Sequence, residues 1–227
     1  MFDTLLQLPL FQGLCHEDFT AILEKTKLHF IRRKPGEKFV TQGDKCEQLT
    51  FIIKGSVTMQ TESADKTFTM IERVEAPYLI EPQILFGLNQ TYHSSYYAVT
   101  EVNIITIAKS AILGELMNYE IFRLNYMNVI SSRAQSMQSK IWHGHFDHIE
   151  DRILNFIYMH VDRPAGEKAL KIKMEDLALY LDETRLNVSK ALNNMQKLGI
   201  LTLKRGEISI ENLPKAIEFR RCMTAEE

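Results

Sequence analysis

Cysteine is scarce in this chain, and what there is lies scattered. Cys15, Cys46 and Cys222 form an odd, widely spaced set. A disulfide framework needs an even number, and zinc or iron–sulfur sites need thiolates at short spacing. None of these fits, so the thiols read as inert. Long apolar runs are missing too: no stretch approaches the ~18–20 residues that span a bilayer. The N-terminus, MFDTLLQLPLFQGL, lacks the basic region and small-residue cleavage site of a secretory signal. A cytoplasmic protein is expected. Charge of one sign is also lacking, with 27 Lys and Arg against 29 Asp and Glu, a net of −2. No whole-protein basic field points to nucleic acid. No internal repeat and no low-complexity tract occurs. What remains is an ordinary globular composition, 45% hydrophobic and 25% charged over 227 residues. That length allows one large domain or two small ones.

The hydrophobic period changes along the chain. Residues 1–30 read as short helices. Leu5, Leu6 and Leu8 precede Pro9, while Phe19, Ile22, Leu23 and Thr26 fall at helical spacing. From residue 28 the period drops to two. Phe39-Val40, the runs 49–53 and 57–59, the run 68–71 and the run 99–108 are short and β-branched or aromatic. Turn signals such as Lys34-Pro35-Gly36 and Gln42-Gly43-Asp44 separate them. Many short strands at close spacing predict a small sandwich or barrel. After Lys109 a helical period returns and is predicted to persist to about Phe146. Met127, Ile130, Ala134, Met137 and Ile141 step through it by three or four, and Gly144 and His148 continue the series. This is a coiled-coil-like seam that suits a homodimer. Packing of the seam on its own domain is the alternative.

Residues 149–227 differ again. Ile149, Ile153, Phe156 and Ile157 mark a helix that ends before a loop at 162–166. A short helix from near Met174 carries Leu177, Ala178 and Leu181. A second, over 186–198, is closed by Gly199 as a C-cap. The runs 200–203 and 208–210 read as strands of a hairpin about Arg205-Gly206. Asp182-Glu183-Thr184 joins the two helices. Asp182 stands where such a turn needs φ > 0, a region Asp tolerates better than most residues. Thr184 is an N-cap candidate.

Val188, Leu192 and Met195 form the inward stripe of the second helix, flanked by Ala191 and Leu198. That leaves Arg185, Leu186, Asn187, Ser189, Lys190 and Asn194 on the outside. From Thr184 to Gly206 there is no acid, and Arg185, Lys190, Lys197, Lys204 and Arg205 contribute +5. A recognition helix sets its N-terminal residues against base edges in the major groove. Arg can take a guanine edge bidentately, and Lys or Ser can reach base or phosphate. Lys204 and Arg205, on the hairpin tip, would meet the phosphate backbone. A solvated basic helix in an ordinary helical domain is the blander alternative. The charge is local: residues 1–148 hold 14 basic and 16 acidic residues, and residues 149–227 hold 13 of each.

These blocks together resemble the CRP/FNR family of bacterial transcription regulators. Pro35-Gly36-Glu37, Gly43-Asp44 and the run 49–57 (LTFIIKGSV) are similar to its β-roll sensor. The long helix is similar to its dimerisation helix, and 174–199 followed by Gly206-Glu207-Ile208 to its winged helix. The resemblance implies an α+β fold. An N-terminal cyclic-nucleotide-binding-like β-roll (jelly roll) spans 1–110, a long dimerisation helix 111–148, and a C-terminal winged helix-turn-helix 149–227. It implies a homodimer on promoter DNA, with RNA polymerase as a further partner and no membrane. An effector in the sensor would reposition the DNA-binding domains through the long helix.

Cyclic-nucleotide-binding members carry Gly-Glu and, about ten residues on, Arg-Ser or Arg-Thr, the Arg pairing with the cyclic phosphate. Here Glu81 remains, Ile80 replaces the Gly, and no Arg occurs between Arg73 and Arg123. Met137 and Gln138 stand where a polar pair would face the purine. Cyclic AMP is therefore not the expected effector. The pocket becomes apolar and aromatic, with Met59, Met70, Tyr78, Leu85, Phe86, Tyr92 and Tyr96 as further lining candidates. Haem-based gas sensors, including regulators of the nitrosative-stress response, are a branch of the family. Haem stays open as the cofactor, with Met70, His145 and His148 as ligand candidates. The alternatives are an unidentified apolar ligand or an empty pocket, the Met filling core gaps. Members that read a TGTGA-type half-site carry Arg-Glu and a later Arg where this chain has Arg185, Leu186 and Lys190. Leu186 cannot accept a hydrogen bond from cytosine, so an altered half-site is expected. An enzyme is not expected: no nucleophile elbow, Walker loop or His-Glu-x-x-His motif occurs. A ligand-binding module that acts by protein contact alone is the third reading.

Overall fold

The computed structural model describes residues 6, 8–141 and 146–224. The chain divides into two compact units, each discontinuous in sequence. One comprises Met1–Thr58 and Val74–Gln138, the other Met59–Arg73 and Ser139–Glu227. The chain therefore passes between them three times, twice within strands.

The first unit opens with α1 (His16–Lys25), whose first-turn amide at Asp18 donates to Cys15 Sγ at 3.3 Å. Strands β1 (His29–Arg33), β2 (Lys38–Val40) and β3 (Gln48–Lys54) follow. Then come β4 (Ser56–Glu62), β5 (Phe68–Glu75) and β6 (Tyr78–Ile80). After a 3₁₀ turn at Pro82–Ile84 stand β7 (Ser95–Ala98) and β8 (Val102–Ala108). One antiparallel sheet has the order β1-β8-β3-β6, and β2 pairs with β7. Ile104, Ile105, Thr106 and Ile107 of β8 are all buried, because the strand is flanked on both edges and covered on both faces. Gly55 joins β3 to β4 at φ +97°, and a Cβ there would lie 2.4 Å from the Glu101 carbonyl, so only glycine fits. Phe11 sits among Phe19, Phe51 and Phe122, with ring centroids 5.5–5.8 Å away. Such rings supply large buried area from few residues.

The helical stretch after Lys109 is broken, contrary to the single helix expected. It consists of α2 (Lys109–Gly114), a 3₁₀ turn at Leu116–Asn118 and α3 (Glu120–Ile141). Gly114 is a poor helix interior residue. Asn118 Nδ2 donates to the Gly114 carbonyl at 2.8 Å, and Tyr119 is extended. Residues 142–145, including His145, lie outside the described residues, so the expected continuation to Phe146 is described only as far as Ile141.

The second unit contains α4 (Ile149–His160), β9 (Lys168–Ile172), α5 (Met174–Tyr180) and α6 (Arg185–Lys197). It ends with β10 (Thr202–Lys204), β11 (Glu207–Ile210) and α7 (Leu213–Thr224). Its strands run in the order β10-β11-β9-β5-β4, with β10/β11, β11/β9 and β9/β5 antiparallel. Beneath it lies one core built from Phe68 and Met70, from Ile153 and Ile157 of α4, and from Leu177, Val188, Leu192, Met195 and Leu213. Each such side chain contributes ~1.5–3 kcal/mol on burial. Strand β9 falls between the loop at 162–166 and the helix from Met174, a stretch to which the sequence pattern assigns no element.

Candidate nucleic-acid interface

Two helix ends of the same design frame the interface. Where α5 stops, the Asp182 amide donates to the Leu179 carbonyl (3.2 Å) and the Glu183 amide to that of Ala178 (2.9 Å). Asp182 takes φ +50°, the left-handed conformation that closes such a cap. At the end of α6, the Gly199 amide donates to Gln196 and the Ile200 amide to Met195, both at 3.0 Å, with Gly199 at φ +71°. Between them, Thr184 caps α6 as expected, its hydroxyl accepting from the Asn187 amide at 3.2 Å. Arg152 of α4 reaches Glu183 at 3.0 Å and pins the turn from behind.

Val188, Ala191, Leu192 and Met195 are buried, which fixes the rotation of α6. Arg185, Leu186 and Lys190 are exposed, Leu186 by 64%. The Gln196 side chain accepts from the Leu203 amide at 2.8 Å and ties the helix to β10. Lys204 and Arg205 follow on the hairpin, with Gly206 at φ +71°. A cleft of about 480 Å³ opens between α6 and this hairpin. Arg185, Ser189, Asn193 and Lys204 line it.

Several expected contacts are placed differently. Asn187 and Asn194 lie on the flank of α6, where their amides donate to Glu183 (3.3 Å) and Glu150 (3.5 Å). Asn193, not selected from the sequence, lines the cleft instead; stepping by four from Arg185 through Ser189 would have found it. The acid-free window also has acids beside it in space. Glu175 pairs with Arg185 at 3.4 Å and Glu207 with Lys204 at 3.5 Å. The Arg185–Glu175 pair is solvent-exposed on both sides, and Lys204 is exposed over a half-buried Glu207, so both pairs are weak.

The candidate effector residues do not gather in one unit. Met59 and Met70 belong to the second unit, both buried, Met70 opposite Leu170. His148 is exposed at the start of α4. Met70 is packed in the core and His145 lies outside the described residues, so the haem ligand candidates are not brought together among the described residues. In the first unit Tyr78, Leu85, Tyr92 and Tyr96 are buried, while Phe86 is partly exposed beside Lys109 and Tyr126. Met127, Ala134, Met137 and Gln138 are exposed along α3, Ile130 is half-buried, and the Ile141 side chain lies outside the description.

Glu81 is the unusual member. It is buried and left-handed (φ +33°). Its carboxylate accepts from the His93 amide (2.8 Å), the Ser94 amide (3.1 Å) and the Tyr96 hydroxyl (3.2 Å). Burial pushes its carboxyl above the ordinary value, and these hydrogen bonds oppose that. A cyclic phosphate does not fit this arrangement. The consecutive amides already serve a side-chain anion, no Arg occurs in the sequence between Arg73 and Arg123, and Arg133 of α3 is turned to the Leu79 carbonyl at 3.4 Å.

Residues 30–119 match the family profile of the "Cyclic nucleotide-binding domain", and residues 151–215 that of the "Crp-like helix-turn-helix domain". The chain is 27% identical over 201 residues to the Anaerobic regulatory protein of Aggregatibacter actinomycetemcomitans, covering 83% of this chain and 76% of that one. A solved crp/fnr-family transcriptional regulator from Eubacterium rectale superposes with a TM-score of 0.52 at 18% identity, covering 94% of this chain and 98% of that one. The catabolite activator protein of Thermus thermophilus gives a TM-score of 0.48 at 15% identity, covering 93% and 99%. A β-rich sensor domain ahead of a helix-turn-helix defines a class, the DNA-binding transcription regulators. Within that class, the chain belongs to the CRP/FNR family. No helix among the described residues is long and apolar enough to cross a membrane.

Proposed function

We propose that this protein is a homodimeric, sequence-specific regulator that reads a pseudo-palindromic promoter site and answers to an effector other than cyclic AMP. The outward face of α6 beside a basic hairpin carries the reading. Arg185, Leu186 and Lys190 address the base edges of one half-site, while Lys204 and Arg205 address phosphates. Leu186 offers a thymine methyl an apolar contact, so the half-site departs from TGTGA. Leu124, Met127 and Met137 leave an exposed apolar stripe on α3, which a second copy would cover. A two-fold pair then sets its recognition helices about one DNA turn apart, ~34 Å. RNA polymerase is the expected downstream partner. Glu81 stands against a cyclic-nucleotide effector.

Binding-site selection with purified protein tests the proposal. It requires a palindromic consensus, salt-sensitive affinity, and losses with Arg185→Ala and Lys190→Ala. Recovery of an unmodified TGTGA half-site would overturn the specificity argument. A monomer by analytical ultracentrifugation at micromolar concentration would overturn the dimer.

A further inference from the structure

Residues 59–73 lie inside the stretch that matches the cyclic nucleotide-binding domain, yet they pack in the unit that holds the helix-turn-helix. Three kinds of contact keep them there. Strand β5 pairs with β9 over five residues, from Phe68↔Ile172 to Glu72↔Lys168. Glu72 and Lys168 form an ion pair at 3.2 Å, their side chains 1% and 2% exposed. The Asp162 and Arg163 amides donate to the two Glu72 oxygens at 2.6 and 3.2 Å. Finally, Phe68 meets the rings of Phe156, His160 and Tyr180 edge-on, at 4.8–5.6 Å.

Tyr180 extends this contact to the hairpin tip. Its hydroxyl donates to Asp65 Oδ2 at 2.8 Å and lies 2.6 Å from Thr67 Oγ1. Tyr180 is the last residue of α5, two positions before the left-handed Asp182. The hairpin tip thus grips the helix end from which the turn into α6 departs.

We propose that the β4–β5 hairpin is a working part of the DNA-binding unit and that Tyr180 is a positioning residue, orienting α6 through the α5 end. This rests on the reading of α6 as the recognition helix. The hairpin holds α6 without covering it. Strand β5 is separated from β10 by β11 and β9, and no hairpin residue lines the cleft between α6 and the wing. The contact therefore persists when DNA is bound. A change in the sensor also has a second route to α6, along β4 and β5, besides α3.

The test uses the full-length chain with Cys15 and Cys222 replaced by Ser, carrying Thr69→Cys and Lys171→Cys at directly paired positions. Oxidation should close the disulfide, since paired strands hold Cα atoms at about 4.5–5.5 Å. The locked protein should keep its DNA affinity within about twofold. Tyr180→Phe, in otherwise native protein, should weaken DNA binding about fivefold with the dimer unchanged; the hydrogen bond itself, made in free and bound protein alike, should show as a fall in melting temperature of about 2–4 °C. Failure of the disulfide to form, or a tenfold loss on locking, overturns the proposal. Unchanged affinity in Tyr180→Phe does so too. If the unsubstituted protein binds no DNA, it is the functional reading that fails, not the hairpin's place.

Discussion

Glu72→Ala would leave the Lys168 ammonium buried, with the Ala165 carbonyl 2.6 Å away and no counter-charge in its ion pair. Breaking a buried pair from one side costs ~3–5 kcal/mol, because an uncompensated charge remains. For a chain of this size each kcal/mol shifts melting by ~2–4 °C, so a fall of roughly 6–20 °C is expected. The double variant Glu72→Gln/Lys168→Met removes both charges and keeps an acceptor for the Asp162 amide. It should cost only ~1–3 kcal/mol, since the Arg163 amide and the Ala165 carbonyl each lose one hydrogen bond. Urea unfolding followed by circular dichroism gives the total. Hydrogen exchange at β9 amides, read by mass spectrometry, localises it. A single variant costing less than ~1 kcal/mol, or a double variant as damaged as the single, would refute the argument that the charge, not the packing, is at stake.

Other expectations follow from the same geometry. Thr184→Ala removes the cap of α6 and should cost ~1 kcal/mol of stability in denaturant titrations. Asp182→Gly relieves a left-handed non-glycine residue and should raise stability by up to ~1 kcal/mol; a loss would show that the carboxylate has a role of its own. Lys204→Ala and Arg205→Ala should each reduce the slope of log affinity against log salt by ~0.9, measured by fluorescence anisotropy. Glu81 binds its proton more tightly folded than unfolded. Its contribution to stability is therefore fully present below the ordinary carboxylate value and is lost as pH rises through the raised one. Glu81→Gln should flatten that part of the stability profile; an unchanged profile would place the titration elsewhere.

The helix-turn-helix was legible because its signals are local. Asp182, Thr184 and Gly199 each solve a backbone problem within four residues of themselves, and the structure uses all three as expected. Strand β9 was not legible. Its inward positions are Lys168, Leu170 and Ile172, and a lysine there breaks the apolar alternation unless its partner is known. That partner, Glu72, is far away in sequence. That Asn193 lines the cleft and Asn194 does not has another cause: the stripe shows which residues point inward, but not which flank faces the wing. Likewise an acid-free window in sequence did not show that Glu175, well before it, and Glu207, just after it, reach Arg185 and Lys204.

The hairpin at 59–73 also limits how this protein can be recombined. A chimera that takes residues 139–227 onto another regulator's sensor would inherit β9 without its edge partner. It would expose a row of unpaired backbone groups, an invitation to aggregation, and leave Lys168 without Glu72. A transferable DNA-binding module from this chain is therefore two segments, and the smaller one must be grafted into the recipient's sensor.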